Sequence, residues 1–218
     1  AELYNNIGLA CDSLGNYPEA VAYYRKAVVI REKVLGKEHP DTAESYNNIG
    51  VAYFDMGNYA EALAYHLKAL AVREKKFGKE HAVTALSYLN IGSAYHGQGE
   101  DSKALDSFFK ALAIYKKVFG EEHASVVLVY NNIADIYTRQ GNYSKALDYY
   151  FKALSVWEKV QTEEGLDLAA VLYANIGYAC YELGNSPRAL EYYLKSLAIR
   201  EKRSGANHPD TATPCSAG

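Results

Sequence analysis

The chain has 218 residues, 49% of them hydrophobic and 22% charged, with a formal net charge of −3 and a pI near 6.1. That balance supplies no bulk attraction to nucleic acid or to an anionic membrane surface, and no run of about 18 apolar residues is present to span a bilayer. The sequence opens without an initiator Met or a charged–apolar leader, and Ala1 already falls within a helical pattern, as expected of a piece excised from a longer chain.

Residues 1–14 (AELYNNIGLACDSL) place Leu3, Ile7, Ala10, Cys11 and Leu14 at helical spacing. Gly15-Asn16 ends this helix, because Gly suits the left-handed position after a last turn. Pro18 fits the start of a second helix, where its missing N–H has no partner to lose. That helix is expected to reach Leu35, with Ala20, Tyr24, Ala27, Val28 and Val34 on its inner face. Gly36-Lys37-Glu38-His39-Pro40 breaks it, and Asp41 or Thr42 is expected to cap the next helix.

From there the chain repeats itself. An offset of 42 residues carries Asn6 onto Asn48, Asn90 and Asn132, and one further inserted residue brings in Asn175. Gly15, Gly57, Gly99, Gly141 and Gly184 keep step, as do Ala20, Ala62, Ala104, Ala146 and Ala189. A pattern copied five times at a fixed period predicts an all-α stack of helix-turn-helix units, each burying its apolar face on its neighbours. First helices are expected near 1–14, 42–56, 83–98, 125–140 and 167–183. Second helices are expected near 18–35, 60–77, 102–119, 144–160 and 187–203. The copies run approximately 1–40, 41–82, 83–124, 125–166 and 167–208, with the pattern clear over 1–203. Asp101 reads as an N-cap and Ser186-Pro187 as a helix start. Residues 161–165 depart from the loop pattern, and 209–218 form a divergent tail expected to be disordered.

Gly8, Gly50, Gly92 and Gly177 lie in the middle of first helices, where Gly costs roughly 0.5–1 kcal/mol against Ala. Their recurrence predicts a close helix–helix approach, placed opposite the Ala20-type position. Cys11 and Cys180 share one register but stand too many copies apart for a disulfide. They read as small buried apolar side chains in a reducing cytosol, which points to a cytoplasmic protein. His39, His81, His123 and His208 recur at least one copy apart, about 8–10 Å or more, too far to share an ion, and read as loop caps rather than metal ligands. The runs Arg31-Glu32-Lys33 and Arg73-Glu74-Lys75-Lys76 read as solvated outer faces. His66 and His96 read as core or groove polar contacts. No nucleophile–base pair, phosphate-cradling loop or paired-cysteine motif is present, so neither catalysis, metal nor cofactor is expected.

The positions Tyr46, Ile49-Gly50, Tyr53, Gly57-Asn58-Tyr59, Ala62, His66 and Ala69-Leu70 together resemble the tetratricopeptide repeat. The 42-residue unit, Asn5-Asn6-Ile7 and the stretch from Arg31 to Thr42 are similar to the kinesin light chain subclass. The resemblance implies a right-handed α–α superhelix, a tetratricopeptide solenoid of five repeats, whose first helices line a concave groove for peptide segments of a partner protein.

Carried onto these residues, that geometry lines the groove with Asn6, Asn48, Asn90, Asn132 and Asn175, and with Asn5, Asn47 and Asn131 beside them. An amide offers both a donor and an acceptor, so it can pair with a peptide backbone, or alternatively with the adjacent helix to fix repeat spacing. Leu86, Leu89 and Leu128 make an apolar middle, and Tyr178, Tyr181 and Phe54 are candidate anchors. Of the 23 Lys and Arg residues only Arg139 falls in a first helix, whereas Glu2, Asp12, Glu44, Asp55, Asp135 and Glu182 do. The expected ligand therefore has an apolar centre and neutral or basic flanks, held as a cargo adaptor would hold it. The acidic chaperone tails and Trp-acidic motifs bound through basic groove residues elsewhere in the family do not suit this face. A rival reading is self-assembly through the terminal helices, including Leu194 and Leu197.

Overall fold

The computed structural model describes residues 1–160 and 166–204. The fourth loop, His208, Cys215 and the divergent tail lie outside the described residues. Among the described residues there are ten helices and no strand: α1 (Glu2–Ser13), α2 (Tyr17–Val34), α3 (Pro40–Asp55), α4 (Tyr59–Phe77), α5 (Ala82–Gly97), α6 (Asp101–Phe119), α7 (Ala124–Arg139), α8 (Tyr143–Val160), α9 (Leu166–Glu182) and α10 (Ser186–Ser204). The all-α helical-hairpin fold is as the periodicity predicts, and no helix end differs from expectation by more than two residues. None of these helices is long and apolar enough to cross a membrane.

The chain divides into two compact units, Ala1–Val118 and the part from Phe119 onward. In the first, α1 packs on α2, α2 on α3, α3 on α4 and α4 on α5. Its core draws Val21, Tyr24 and Val28 from α2, Tyr46 and Ile49 from α3, and Ala69 and Val72 from α4. In the second, α7, α8, α9 and α10 pack in succession. There Val126, Ile133, Tyr150, Leu172 and Ile176 are sealed from solvent.

Each hairpin turn closes by one device. Gly15 takes φ of 75°, its N–H donates to Asp12 O at 2.9 Å, and Asn16 N–H donates to Cys11 O at 2.9 Å. These two bonds satisfy carbonyls that the helix end leaves open, and a Cβ at Gly15 would strain the left-handed backbone. The same pair of bonds recurs at Gly57, Gly99, Gly141 and Gly184. Between copies, the cap is the histidine and not Asp41 or Thr42. His39 Nδ1 accepts from Asp41 N–H at 3.2 Å, His81 from Val83 at 3.2 Å, and His123 from Ser125 at 3.1 Å. Thr42 Oγ1 instead donates back to Gly36 O at 2.9 Å. Asp101 is the first residue of α6 rather than its cap, with its carboxylate 3.0 Å from His96 Nδ1.

The helix-interior glycines all face rings, and at Gly177 the backbone of the Ala20-type position, Ala189, approaches as well. A Cβ on Gly8 would stand 2.5 Å from the Tyr24 ring, one on Gly50 2.6 Å from His66, and one on Gly92 2.6 Å from Phe108. At Gly177 the ring of Tyr193 lies at 2.8 Å, with Ala189 O at 3.2 Å. The aromatic residue of each second helix therefore lies flat on the first helix, and the missing methyl makes the space. Phe108 is 1% exposed and has nowhere to go, whereas Tyr193, 39% exposed, can swing outward. Gly92→Ala is expected to cost about 1–3 kcal/mol from overpacking, and Gly177→Ala less, because only the Ala189 carbonyl cannot move aside, as read from paired urea denaturation curves. Equal losses at the two sites would refute this account.

Candidate functional site

The amides of the first helices divide into two kinds. Asn5, Asn47 and Asn131 are 4%, 9% and 6% exposed. Asn48, Asn90, Asn132 and Asn175 are half-buried, and Asn6 is exposed. The two kinds pair between successive first helices. Asn48 Nδ2 donates to Asn5 Oδ1 at 3.2 Å, Asn90 Nδ2 to Asn47 Oδ1 at 2.9 Å, and Asn175 Nδ2 to Asn131 Oδ1 at 3.3 Å. The buried member of each pair is thus engaged with a neighbouring repeat, and the half-buried member stands at the surface of the same face.

Around the amides, the apolar positions separate as well. Leu86 and Leu128 are exposed, at 36% and 37%, but Leu89 is 5% exposed and belongs to the packing. Leu9 on α1 is also open. Phe54 stacks obliquely on Tyr59, with centroids 5.3 Å apart, and a side chain at Gly97 would meet that same Tyr59 ring. Tyr178 is exposed and meets Tyr143 edge-on at 6.1 Å. The Tyr143 hydroxyl, hydrogen-bonded to Tyr178 and partly desolvated, is pushed up to about 12. On α10, Leu190 and Leu194 are exposed.

The carboxylates are not equivalent either. Asp135 is saturated from within its own unit: it accepts from Asn131 Nδ2 at 3.2 Å, Asn175 Nδ2 at 3.3 Å and Tyr150 Oη at 2.6 Å. Asp12 and Asp55 are different. Burial raises the pKa of both, and the charge of Asp55 raises Asp12 further. Asp12 Oδ1 is buried with no hydrogen-bond partner. This end of the first unit is negatively charged and short of donors.

Two residues on this face were not legible as site residues. Arg31 and Arg73 are 8% and 7% exposed, not solvated. Arg31 Nη1 donates to Ser45 Oγ at 2.6 Å and Asp41 O at 2.8 Å, and lies 3.6 Å from Glu44. Arg73 Nη1 donates to Ser87 Oγ at 2.8 Å, Asn47 Oδ1 at 3.3 Å and Val83 O at 3.4 Å. Both come from second helices and end beneath the first-helix face. At α1 and α3, a cavity of about 460 Å³ is lined by Glu2, Asn5, Asn6, Arg31, Leu35 and Glu44 among others. The signal was present in the sequence: each of these arginines is followed fourteen residues on by a serine. In later copies, where Tyr115 and Trp157 replace Arg, Val129 and Leu172 replace Ser. The remaining basic residues of the runs, Lys33, Lys75 and Lys76, do lie outside, where Lys75 pairs with Glu38 at 2.6 Å.

The family model for the tetratricopeptide repeat matches residues 1–75, 45–117, 103–159 and 167–214. No curated protein matches the sequence. Among solved structures, BtubC (BKLC) of P. vanneervenii superimposes with a TM-score of 0.79 at 21% identity, over 100% of this chain and 84% of that one. A putative kinesin light chain with nearly identical repeats, from Podosopora anserina, gives 0.75 at 22% identity, covering 93% and 95%. The Rap conjugation gene regulator of plasmid pLS20, solved in complex with the Phr* peptide, gives 0.75 at 20% identity, covering 92% of this chain and 53% of that one. At these identities the likeness is one of fold.

Proposed function

The chain belongs to the tetratricopeptide-repeat family, and from that membership we propose that it is a protein–protein interaction scaffold holding a peptide with an apolar centre and neutral or basic flanks on its first-helix faces. The observation that carries this reading is the charge partition. Arg139 is the only Lys or Arg among the described first helices, the two arginines that reach this face from second helices are engaged with Ser45 and Ser87, and at one end of the first unit the partly desolvated carboxyl of Asp12 feels the charge of exposed Asp55. A cationic side chain relieves that strain and a carboxylate adds to it. Leu9 and Leu86 in the first unit, and Leu128 and Tyr178 in the second, offer apolar contact. Half-buried Asn90 in the first unit, and Asn132 and Asn175 in the second, each offer an amide to a ligand backbone. The peptide held by the Rap regulator, a protein of similar fold, supports the same use of this fold here. The scaffold needs no catalytic group or cofactor.

Asn90→Ala combined with Asn132→Ala is expected to weaken peptides captured from a 12-residue array by about tenfold, the worth of one to two hydrogen bonds. The helical circular dichroism signal is expected to stay unchanged. Parallel loss of helicity and capture would assign the amides a purely structural role, and an array dominated by acidic peptides would sink the charge argument.

A further inference from the structure

The first unit has a second recess, formed where the end of α2 and the loop after it meet α3 and α4. It is a cavity of about 350 Å³. Tyr46 and Val72, 6% and 7% exposed, give it an apolar floor beside Ala71. Lys37, Lys68 and Lys75 surround that floor, together with Glu32 and Glu38. Both carboxylates are already engaged: Tyr46 Oη donates to Glu32 Oε1, and Lys75 holds Glu38 at 2.6 Å. Lys37 and Lys68 have no carboxylate partner among the described residues. Lys37 is exposed, and Lys68 lies over the Tyr46 and Tyr65 rings, 5.8 and 4.6 Å from their centroids. A ring face attracts an ammonium without using up its three N–H donors. The recess therefore offers two ammonium groups above an apolar floor.

One copy on, within the same unit, these contacts recur. Tyr88 Oη donates to Glu74 at 2.6 Å, Lys110 lies over the Tyr88 ring at 5.4 Å, and Lys117 pairs with Glu80. Lys79, Ala113 and Ile114 stand at the registers of Lys37, Ala71 and Val72. Packed helices lie about 8–10 Å apart, so successive copies are spaced by at least about three residues of extended chain. We propose that this second-helix side of the first unit binds an acidic–apolar peptide segment, with carboxylates at Lys37 and Lys68 and again at Lys79 and Lys110, and aliphatic side chains against Val72 and Ile114. A small carboxylate would occupy one set of lysines and leave the other. A flat anionic membrane would meet the lysines without entering the recess to Val72. The proposal does not depend on the reading of the first-helix faces, and its charge preference is the opposite of theirs.

The test is fluorescence anisotropy of labelled 12-residue peptides with the full chain. Peptides of Glu-Glu-Leu repeats are expected to bind about tenfold more tightly than Gln-Gln-Leu or Glu-Glu-Ser peptides, and to weaken as salt is raised. The deciding variant is Lys37→Glu with Lys79→Glu, which places at two exposed loop positions the residue that the third copy carries there, Glu121. It is expected to weaken the Glu-Glu-Leu peptide by about tenfold and to leave a Lys-flanked, leucine-rich peptide unaffected. Lys37→Arg with Lys79→Arg is expected to bind as the wild type does. Glu-Glu-Leu binding that is equal in the wild type and the Glu variant overturns the proposal; it would assign acidic capture to another surface and count against the charge argument for the first-helix faces. No Glu-Glu-Leu binding by the wild type also overturns the proposal and leaves the first-helix reading intact. Glu-Glu-Ser peptides bound as tightly as Glu-Glu-Leu would reduce the recess to a charged surface and overturn it too. So would binding to vesicles of equimolar phosphatidylserine and phosphatidylcholine without binding to the peptides.

Discussion

Lowering the pH from 6.5 to 4 is expected to destabilise the first unit by about 3 kcal/mol through one side chain, His66. The residue is 1% exposed, its ring lies flat on Gly50, and its Nδ1 has no hydrogen-bond partner. At the same register, Tyr150 passes its hydroxyl to Asp135 and Thr138. Around His66 those two positions are Val51 and Phe54, which cannot accept a proton. Burial, and secondarily the charge of Arg73, lower its pKa from 6.5 to about 4. The sign follows directly. Below pH 6.5 the unfolded chain binds a proton that the folded chain refuses, so stability falls as pH falls. The slope is about 1.4 kcal/mol per pH unit and levels off below pH 4, where the folded state also protonates. Above 6.5 the ring is neutral in both states and contributes no pH dependence.

The natural control is written elsewhere in the chain. Phe108 occupies the His66 register over Gly92 and packs in the same way. His66→Phe is therefore expected to keep the fold and remove this part of the acid limb, leaving only the titration of the carboxylates. The measurement is amide hydrogen exchange of α3 and α4 between pH 4 and 7 in the two proteins, converted to opening free energies. Parallel profiles for wild type and variant would show that His66 is not the group responsible.

Truncating Arg73 is expected to have an effect of similar size at any pH. Arg73→Ala takes a charged donor from Ser87 Oγ, Asn47 Oδ1 and Val83 O in a region the guanidinium had sealed, leaving Asn47 Oδ1 with Asn90 Nδ2 alone, Val83 O with the long bond from Ser87 Oγ, and Ser87 Oγ with no donor to accept from. A stranded buried acceptor costs about 1–3 kcal/mol, and some relief comes from water entering the gap. A net loss of about 3 kcal/mol is expected. Arg73→Tyr with Ser87→Val replaces both partners by a pair that fits without polar groups, so most of that loss is expected to return. Lys at this position keeps the charge but loses the planar fork, and belongs between the two. Chemical denaturation followed by circular dichroism compares the three. An Arg73→Ala protein within about 1 kcal/mol of wild type would mean that the buried network contributes little beyond what water supplies.

These two predictions concern residues that the sequence pattern placed incorrectly or left open, and the reason is the same for both. Periodicity states which residues share a helix face; it does not state what stands opposite. Arg73 sits in a run, Arg73-Glu74-Lys75-Lys76, in which Lys75 is tied to exposed Glu38 while Arg73 is sealed. Two residues of helical rotation separate the two outcomes. The glycines show the same limit. Their recurrence announced a close approach, but only the packed helices identify the ring of the Tyr24 register as the body that approaches.

What the sequence determined by itself is everything that depends on near neighbours along the chain. A fixed period, Gly-Asn turns, prolines in first turns and an apolar stripe fix ten helices and their order, because backbone hydrogen bonds and steric limits act within a few residues. The scarcity of Lys and Arg on first helices is likewise a property of the sequence once the helices are assigned. Only the tertiary structure decided which amide of each pair is buried, which way it points, and that two arginines from second helices reach beneath the first. Asn is chemically symmetric between donating and accepting, and Arg carries a stem long enough to lie inside or outside. For such groups the choice is made by the partner that packing brings from another copy of the repeat.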